Sequence, residues 1–224
     1  MTVALFIPCY IDQFYPNVAV ATLELLEKLD VEVVYPKNQT CCGQPMANAG
    51  FEHTAGNVNE LFIKNFMNVD YIVSPSGSCV LHVKHHLHSK KRESEAELIR
   101  NNIYELTEFL TDILQVKQLN SKFPYRVGVH QSCHGQRGLM LSKMSETVSS
   151  DFSKSEELLR MVEGIQLISL RRKDECCGFG GTFCVTEEAV SVKMGIDRVQ
   201  DHISNVAGYI TGGDMSCLLH LGGI

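Results

Sequence analysis

The sequence predicts an α/β protein built from two tandem domains, each a parallel sheet covered by helices. Short apolar runs alternate with longer stretches whose apolar residues recur every three or four positions, an order typical of parallel sheets. A cysteine pattern with matching flanking sequence also occurs once in each half, which indicates an internal duplication. We therefore expect residues 1–118 and 123–224 to form two similar domains related by a pseudo-twofold axis.

The first half begins with a strand and continues in strict alternation. Residues 3–7 are a continuous apolar run, typical of a strand covered on both faces. Asn17 is a suitable N-cap for the amphipathic helix that follows. Residues 31–35 predict a second strand, residues 56–67 a second helix and residues 71–73 a third strand.

A longer amphipathic segment closes the first half. Its apolar residues keep a helical period across residues 96–116, which predicts a single helix. The polar residues and proline at 120–124 then predict a linker between the two domains.

The second half repeats the order of the first. Strands are predicted at residues 125–130, 165–170 and 209–211, each an apolar run. Ser153 and the glutamate three residues later form a capping box for one helix. Thr186, followed by two glutamates, marks the start of another.

Eight of the nine cysteines fall into two sets of four. Each set has a lone cysteine, then an adjacent pair followed by glycine, then a final cysteine. The first set is Cys9, Cys41, Cys42 and Cys79, and the second is Cys133, Cys176, Cys177 and Cys217. Each of these positions follows a predicted strand, and ligands of parallel sheets gather at the carboxyl ends of the strands. We therefore expect the four thiols of each set to converge.

The residue type and spacing favour metal or cluster binding at each set. Adjacent cysteines are poorly placed to bond to one another, because the short backbone between them strains a disulfide. Thiolates prefer zinc, cuprous copper or iron–sulfur clusters, and the glycine after each pair permits close approach of the backbone. The alternative is that these cysteines are merely small buried residues.

Charge and composition disfavour several other classes of protein. A net charge of −6 argues against nucleic-acid binding, which needs a basic face. The first apolar run lacks a basic flank and is broken by Asp12 and Pro16, so we expect neither a signal peptide nor a transmembrane segment. A cytoplasmic location follows, where cysteines favour metal or redox chemistry over disulfides. Neither half has a glycine-rich dinucleotide fingerprint after its first strand.

The doubled pattern resembles the cysteine-rich CCG domain family. The residues that carry the resemblance are Cys-Cys-Gly-Gln-Pro at 41–45 and Cys-Cys-Gly-Phe-Gly-Gly-Thr-Phe at 176–183. They are most similar to the lactate utilisation and glycolate oxidase groups of that family, and they are related to the CCG-type subunit of heterodisulfide reductase. The resemblance implies that the eight cysteines hold iron–sulfur clusters, of the 4Fe–4S type, up to one per half.

The same resemblance implies a function and a set of partners. It implies an electron-transfer subunit of a cytoplasmic complex that oxidises L-lactate or a related 2-hydroxy acid. Other subunits of that complex would carry ferredoxin-like clusters. No substrate-binding arrangement is legible in this sequence, so no catalytic residue is assigned.

One departure from the family leaves alternatives open. Ser76 and Asp214 stand where the family has the first cysteine of Cys-x-x-Cys, so each half has four thiols and a possible weak oxygen ligand. The CCG-type subunit of heterodisulfide reductase uses five cysteines per half for a cluster that cleaves disulfides, which makes a thiol–disulfide reductase the first alternative. A redox-silent scaffold with tetrahedral zinc sites is the second.

Several other cysteine and histidine residues lie near the two sets in the sequence. Cys184 lies outside both sets and is expected to be a small buried residue. His82 and His220 each follow the last cysteine of a set by three positions. Two interpretations fit this spacing: both histidines form a similar hydrogen bond near the metal site, or both lie on an exposed helix surface. His130 and His134 flank Cys133.

Overall fold

The computed structural model describes all 224 residues, and the chain divides into two compact units, Met1–Leu106 and Thr107–Ile224. Residues 107–118, which the sequence assigns to the first domain, group with the second unit. The domain limits of 118 and 123 stay a prediction, as does the pseudo-twofold relation. No helix of the chain is both long enough and apolar enough to cross a membrane.

The first unit has a sheet of four parallel strands in the order β2-β1-β3-β4. The strands are β1 (Thr2–Leu5), β2 (Glu32–Val34), β3 (Tyr71–Ser74) and β4 (Ile103–Glu105). Val3, Ala4 and Leu5 are each at most 2% exposed, because helices cover both faces of the central strand. The apolar run at the start of the sequence therefore predicts this strand correctly.

Six α-helices connect and flank these strands. They are α1 (Cys9–Phe14), α2 (Pro16–Lys28), α3 (Gln44–Asn48), α4 (Gly56–Phe66), α5 (Gly77–His86) and α6 (Glu93–Asn102), with a short 3-10 turn at Glu52–Thr54. Helix α2 begins at Pro16, with Tyr15 as its N-cap, and not after Asn17 as predicted. Proline is favoured at the first helical position because its missing N–H has no partner there anyway.

The prediction of one helix across residues 96–116 is wrong. Helix α6 ends at Asn102, and β4 follows at once and pairs in parallel with β3, Ile72 opposite Ile103. A three-residue helix α7 (Leu106–Glu108) and a π-helical turn (Phe109–Ile113) come next. The apolar spacing fits a helix, but the open edge of β3 offers backbone hydrogen bonds to a segment that contains β-branched Ile103 and aromatic Tyr104.

The second unit repeats the central part of this topology. Its three parallel strands have the order β6-β5-β7, which corresponds to β2-β1-β3. They are β5 (Arg126–His130), β6 (Gln166–Leu167) and β7 (Tyr209–Gly212). The registers also match, because Val3 lies opposite Tyr71 and Val127 lies opposite Tyr209. The internal duplication that the sequence indicates is thus present in the fold.

The helices of the second unit include the two whose starts were predicted. They are α8 (Lys154–Leu159), α9 (Phe183–Thr186), α10 (Glu188–Ser204) and α11 (Met215–Gly222), with a π-helical turn at His134–Gly138. The Ser153 hydroxyl accepts a hydrogen bond from the Glu156 N–H at 3.3 Å, as the capping box predicts. Thr186 ends the short α9 instead of starting the long helix, which begins at Glu188.

The two units differ in what fills the space beside the central strand. In the first, the Phe6 ring packs edge-on against Phe62 at 5.0 Å and Phe66 at 5.6 Å between ring centroids. In the second, the fully buried side chains on the long helix α10 include Arg198 and His202. The buried side chains on the helix beside the central strand therefore include aromatic residues in the first unit and polar residues in the second.

Candidate metal centres

In each unit the four cysteines lie beyond the carboxyl ends of the parallel strands. The lone cysteine follows the central strand, the pair follows the strand at one side, and the final cysteine lies in the first turn of the helix after the third strand. The corresponding elements are β1, β2 and α5 in the first unit, and β5, β6 and α11 in the second. The parallel topology thus brings together residues that are far apart in the sequence.

The four thiols of the first set form one connected group. The Cys9 thiol donates a hydrogen bond to the sulfur of Cys41 at an Sγ–Sγ distance of 3.8 Å. Cys42 hydrogen-bonds to both Cys41 and Cys79. The convergence expected from the spacing is found here.

The second set forms the same chain of contacts. The Cys133 thiol hydrogen-bonds to Cys176, and Cys177 hydrogen-bonds to both Cys176 and Cys217. Cys177 and Cys217 are only 2% and 8% exposed. All eight predicted ligands therefore occupy two groups of four.

The glycine after each pair has a backbone conformation that ordinary residues rarely adopt. Gly43 and Gly178 have φ angles of 94° and 93°. In this conformation their N–H groups turn back and donate to the sulfurs of Cys41 and Cys176, in both cases at 3.4 Å. A side chain at Gly178 would place its Cβ 2.5 Å from the carbonyl oxygen of Ser191, so glycine is required there.

Hydrogen bonds within each group separate the pKa values of its thiols. The thiols of Cys42 and Cys9 lower the pKa of Cys41 to about 2, because they stabilise its thiolate. The corresponding thiols of the second set lower the pKa of Cys176 to about 2. The pKa of Cys9 is raised, because it donates its proton to Cys41 and is partly buried. The hydrogen bonds therefore favour the thiolate form at Cys41 and Cys176.

This donor chemistry fits a soft metal ion or an iron–sulfur cluster. All nine cysteines are free, so none of the eight is engaged in a disulfide. Neighbouring thiols repel one another once they ionise, and a cation that binds them relieves this repulsion and releases their protons.

Ser76 and Asp214 lie at the N-caps of the helices that carry the final cysteines, and they are 4% and 3% exposed. The Ser76 hydroxyl accepts a hydrogen bond from the Cys79 N–H at 3.5 Å. Asp214 accepts one from the Ser216 hydroxyl at 2.9 Å. Only Ser76 caps its helix through the backbone, and the role of both residues as weak ligands stays a prediction.

His82 and His220 pack beside the two glycine turns. His82 is 8% exposed, and its Nε2 lies 3.5 Å from the position that a Cβ at Gly43 would occupy. The Nε2 of His220 lies 3.4 Å from the Ser191 hydroxyl, which donates to the carbonyl oxygen of Gly178 at 2.8 Å. These positions support a shared role for His82 and His220 beside the cysteine pairs over an exposed position on the helix surface.

The loop before the second cysteine pair is held by a buried ion pair. Arg198 and Asp201 lie at 0% and 6% exposure on α10 and pair at 2.8 Å. Asp201 accepts hydrogen bonds from the N–H groups of Arg171 and Arg172, and Arg198 donates to the carbonyl oxygen of Arg172. The helix thereby positions the chain that leads into Cys176.

The second group contains a donor that has no counterpart in the first. A ring nitrogen of His130 and the sulfurs of Cys177 and Cys217 all lie within 4.8 Å of one another. His130 is 2% exposed, and neither of its ring nitrogens has a hydrogen-bond partner. Burial, together with the charges of Arg198 and His202, lowers its pKa to about 3, so the imidazole is neutral.

Sequence reasoning identifies His130 only as a neighbour of Cys133. A comparison of the two repeats would have found it, because His130 stands three residues before its lone cysteine, where Phe6 stands before Cys9. The other flanking residue, His134, has its Nδ1 3.7 Å from the Cys133 sulfur.

Cys184 lies outside both groups. Its thiol donates to the carbonyl oxygen of Gly181 at 3.1 Å, and the residue is half-buried where full burial was expected. It is near the second pair in sequence, but the short helix α9 directs its sulfur to the backbone.

Comparison with known proteins places these sites in a family. The model of the cysteine-rich domain called CCG matches residues 3–84 and 127–222. The Lactate utilization protein A of Geobacillus thermodenitrificans is 39% identical over 228 aligned residues, covering 100% of this chain and 91% of that protein. The protein of the same name from Oceanobacillus iheyensis is 39% identical over 227 residues, covering 100% and 89%. The chain belongs to the cysteine-rich CCG domain family, with two copies of the domain, and is similar over its whole length to the Lactate utilization protein A group.

Proposed function

We propose that this protein is an iron–sulfur electron-transfer subunit of a cytoplasmic complex that oxidises L-lactate or a related 2-hydroxy acid. The observation that carries the proposal is the convergence of four thiols in each unit. The name of the similar proteins supports lactate as the substrate. The nine free cysteines support a reducing compartment such as the cytoplasm.

Each unit would hold one cluster at its own group of four cysteines. The four thiols suit a 4Fe–4S cluster, which supplies one-electron redox chemistry when bound. Residues of the chain would set the reduction potential of the cluster and its access to water. The N–H groups of Gly43 and Gly178 donate to ligand sulfurs, which makes reduction of such a centre easier, and burial of Cys42 and Cys177 limits access of water.

Substrate binding would belong to other subunits. The side chains gathered at the two centres are thiols with a few histidines and hydrogen-bonding neighbours, a set suited to electron transfer. Partner subunits with ferredoxin-like clusters would deliver electrons to this chain or accept them from it.

One observation favours the zinc scaffold as a second candidate. With a Zn–S bond of about 2.3 Å, two sulfurs of a tetrahedral site lie about 3.8 Å apart. Cys9 and Cys41 have that separation. In this case each group would hold a single ion and take no part in electron transfer.

Another observation keeps the thiol–disulfide reductase open. Each group contains one cysteine of lowered pKa, Cys41 in the first and Cys176 in the second. A stable thiolate that is partly accessible is the reactive form in thiol exchange. A cluster-dependent reductase would act on a disulfide at this position.

Metal analysis of protein prepared without oxygen separates these candidates. The proposed function predicts a brown protein with about four iron and four sulfide per unit, reducible by dithionite. A colourless protein with one zinc per unit and no sulfide would support the scaffold instead. Iron and sulfide together with reduction of a model disulfide would support the reductase.

A further inference from the structure

The second unit places an imidazole within a group of thiols, and the first unit does not. A ring nitrogen of His130 and the sulfurs of Cys177 and Cys217 lie within 4.8 Å of one another. Donor atoms this close need only small movements to bind one metal centre. The three donors come from β5, the loop after β6 and helix α11, so the fold itself brings them together.

The His130 ring is buried without a hydrogen-bond partner, as is the ring of His202. The side chain is 2% exposed and both ring nitrogens lack a partner. Buried polar groups are almost always hydrogen-bonded or bound to a metal, because a buried group without a partner loses its interaction with water. A histidine that served only for packing would leave this loss uncompensated.

The neighbouring polar residues do not provide that partner. Arg198 uses its two terminal nitrogens for the Arg172 carbonyl and the Asp201 carboxylate. His202 is also fully buried, and its ring packs against the backbone at Gly128, where a Cβ would collide with it. The Arg198 Nε and both ring nitrogens of His202 also lack a partner, so what distinguishes His130 is that its ring nitrogen lies within 4.8 Å of two thiols.

The first unit serves as an internal comparison. Phe6 occupies the position equivalent to His130, because each lies three residues before the lone cysteine of its set. Each also lies three residues after a matching valine, Val3 or Val127, that pairs with a tyrosine of the third strand. Its ring packs against Phe62 and Phe66. A phenyl ring fills this space without offering a donor, so packing alone does not demand a histidine here.

We propose that His130 coordinates the metal centre of the second unit through a ring nitrogen. The second centre then has mixed nitrogen and sulfur ligation, while the first has sulfur ligation alone. The inference rests on the proposed function for the identity of the centre as an iron–sulfur cluster. A 4Fe–4S cluster has four irons, and this group offers five donors, so His130 takes the place of one of the four thiolates. A neutral imidazole in place of a thiolate raises the reduction potential of such clusters, so the second centre is the more easily reduced of the two.

Pulsed electron paramagnetic resonance tests the coordination directly. Full-length protein labelled with ¹⁵N only in histidine is prepared without oxygen and reduced in two steps during a redox titration. We expect the centre that is reduced first to show a strong ¹⁵N hyperfine coupling, and the centre reduced second to show none. This measurement uses the unaltered protein and does not depend on the folding of a variant.

Two variants assign the coupling to one residue. His130→Phe copies the first unit at this position, and we expect it to abolish the ¹⁵N coupling and bring the two potentials together. His130→Gln, which keeps a polar side chain of similar size, should do the same. His134→Phe is the matched control, because His134 lies beside Cys133 and should leave the coupling in place.

The outcomes distinguish this inference from the proposed function. Iron and sulfide in both units with no ¹⁵N coupling in either centre would overturn the role of His130 and leave the proposed function standing. Loss of the coupling in His134→Phe but not in His130→Phe would also overturn it. Protein without iron and sulfide would overturn the proposed function, and zinc-edge absorption would then decide between nitrogen-containing and all-sulfur ligation.

Discussion

At the scale of single residues, Cys217 and Cys184 offer a direct contrast between ligand and bystander. Cys217 is 8% exposed and hydrogen-bonded to Cys177, whereas Cys184 donates to the Gly181 carbonyl. We expect Cys217→Ser to lower iron and sulfide to about half of the unaltered content, because serine is a poor ligand for soft centres. Chemical analysis of the purified protein measures this directly.

Cys184→Ser is the control for that experiment. The hydroxyl can still donate to Gly181, so we expect iron content to stay unchanged and stability to change by less than about 1 kcal/mol. Equal iron content in the two variants would contradict the role of Cys217. Equal loss would make Cys184 a ligand as well.

Gly178 is the residue whose backbone the second centre depends on most. Gly178→Ala forces a side chain into a φ of 93° and into the Ser191 carbonyl oxygen. We expect a cost of about 1–3 kcal/mol and weaker metal retention, because the N–H that bonds Cys176 shifts. Hydrogen exchange read by mass spectrometry measures the local stability of the second unit separately from the first.

Gly56→Ala is the matched control for the glycine. Gly56 is the first residue of α4, and a Cβ added there meets nothing within 4 Å. Alanine is favoured over glycine in a helix, so we expect unchanged or slightly greater stability. A similar loss of stability in both variants would show that the turn at Gly178 has no special requirement.

At the scale of elements, helix α10 supports the second centre through a buried ion pair. Removal of one partner leaves the other charge buried, so we expect Asp201→Asn to cost about 3–5 kcal/mol. The loop at Arg171 and Arg172 also loses the carboxylate that accepts its N–H groups. Faster hydrogen exchange should therefore appear first in residues 171–177.

Asp197→Asn on the same helix is the matched control. Asp197 pairs with Lys193 at 2.5 Å on the exposed face. Exposed pairs at this spacing contribute about 0.3–0.5 kcal/mol, so we expect little change. Comparable effects of the two substitutions would mean that the buried pair does not hold the loop.

The same ion pair makes a prediction about acid. Burial raises the pKa of Asp201, but the Arg172 and Arg171 N–H groups and the Arg198 guanidinium outweigh burial and leave it below its ordinary value. Its contribution to stability is therefore complete above the unfolded pKa of about 3.9 and is lost as pH falls through the folded pKa. The stability difference between Asp201→Asn and unaltered protein should be constant from about pH 7 to 5 and shrink below about pH 4.

The elements also show where prediction from the sequence succeeds and where it fails. The apolar run that becomes β1 is buried on both faces, so its composition alone identifies it. Strand β4 could not be predicted in this way, because the apolar residues of 99–110 have helical spacing. The segment becomes extended because it pairs with the open edge of β3. The apolar spacing of a short segment does not show that its backbone will pair with a strand about thirty residues away in the sequence.

At the scale of the whole molecule, the duplication makes the positions of the two sites predictable. It does not by itself predict that the two sites differ in one neighbouring residue. The spacing of the cysteines and the parallel order of the strands are enough to expect two convergent groups. The cysteine motifs alone do not show the change from Phe6 to His130, which appears only when the residues before each lone cysteine are also compared. The consequence is a pair of sites with one backbone plan and different donor sets.

The two compact units make a final prediction about assembly. Each group of thiols comes entirely from one unit, so each centre should form without the other. We expect the double variant Cys41→Ser, Cys42→Ser to keep about half of the iron and sulfide, all of it in the second unit. Metal binding stabilises the folded state, so the first unit alone should lose protection from hydrogen exchange. The reciprocal variant Cys176→Ser, Cys177→Ser should show the mirror result, and loss of all iron in either variant would mean that the two centres assemble together.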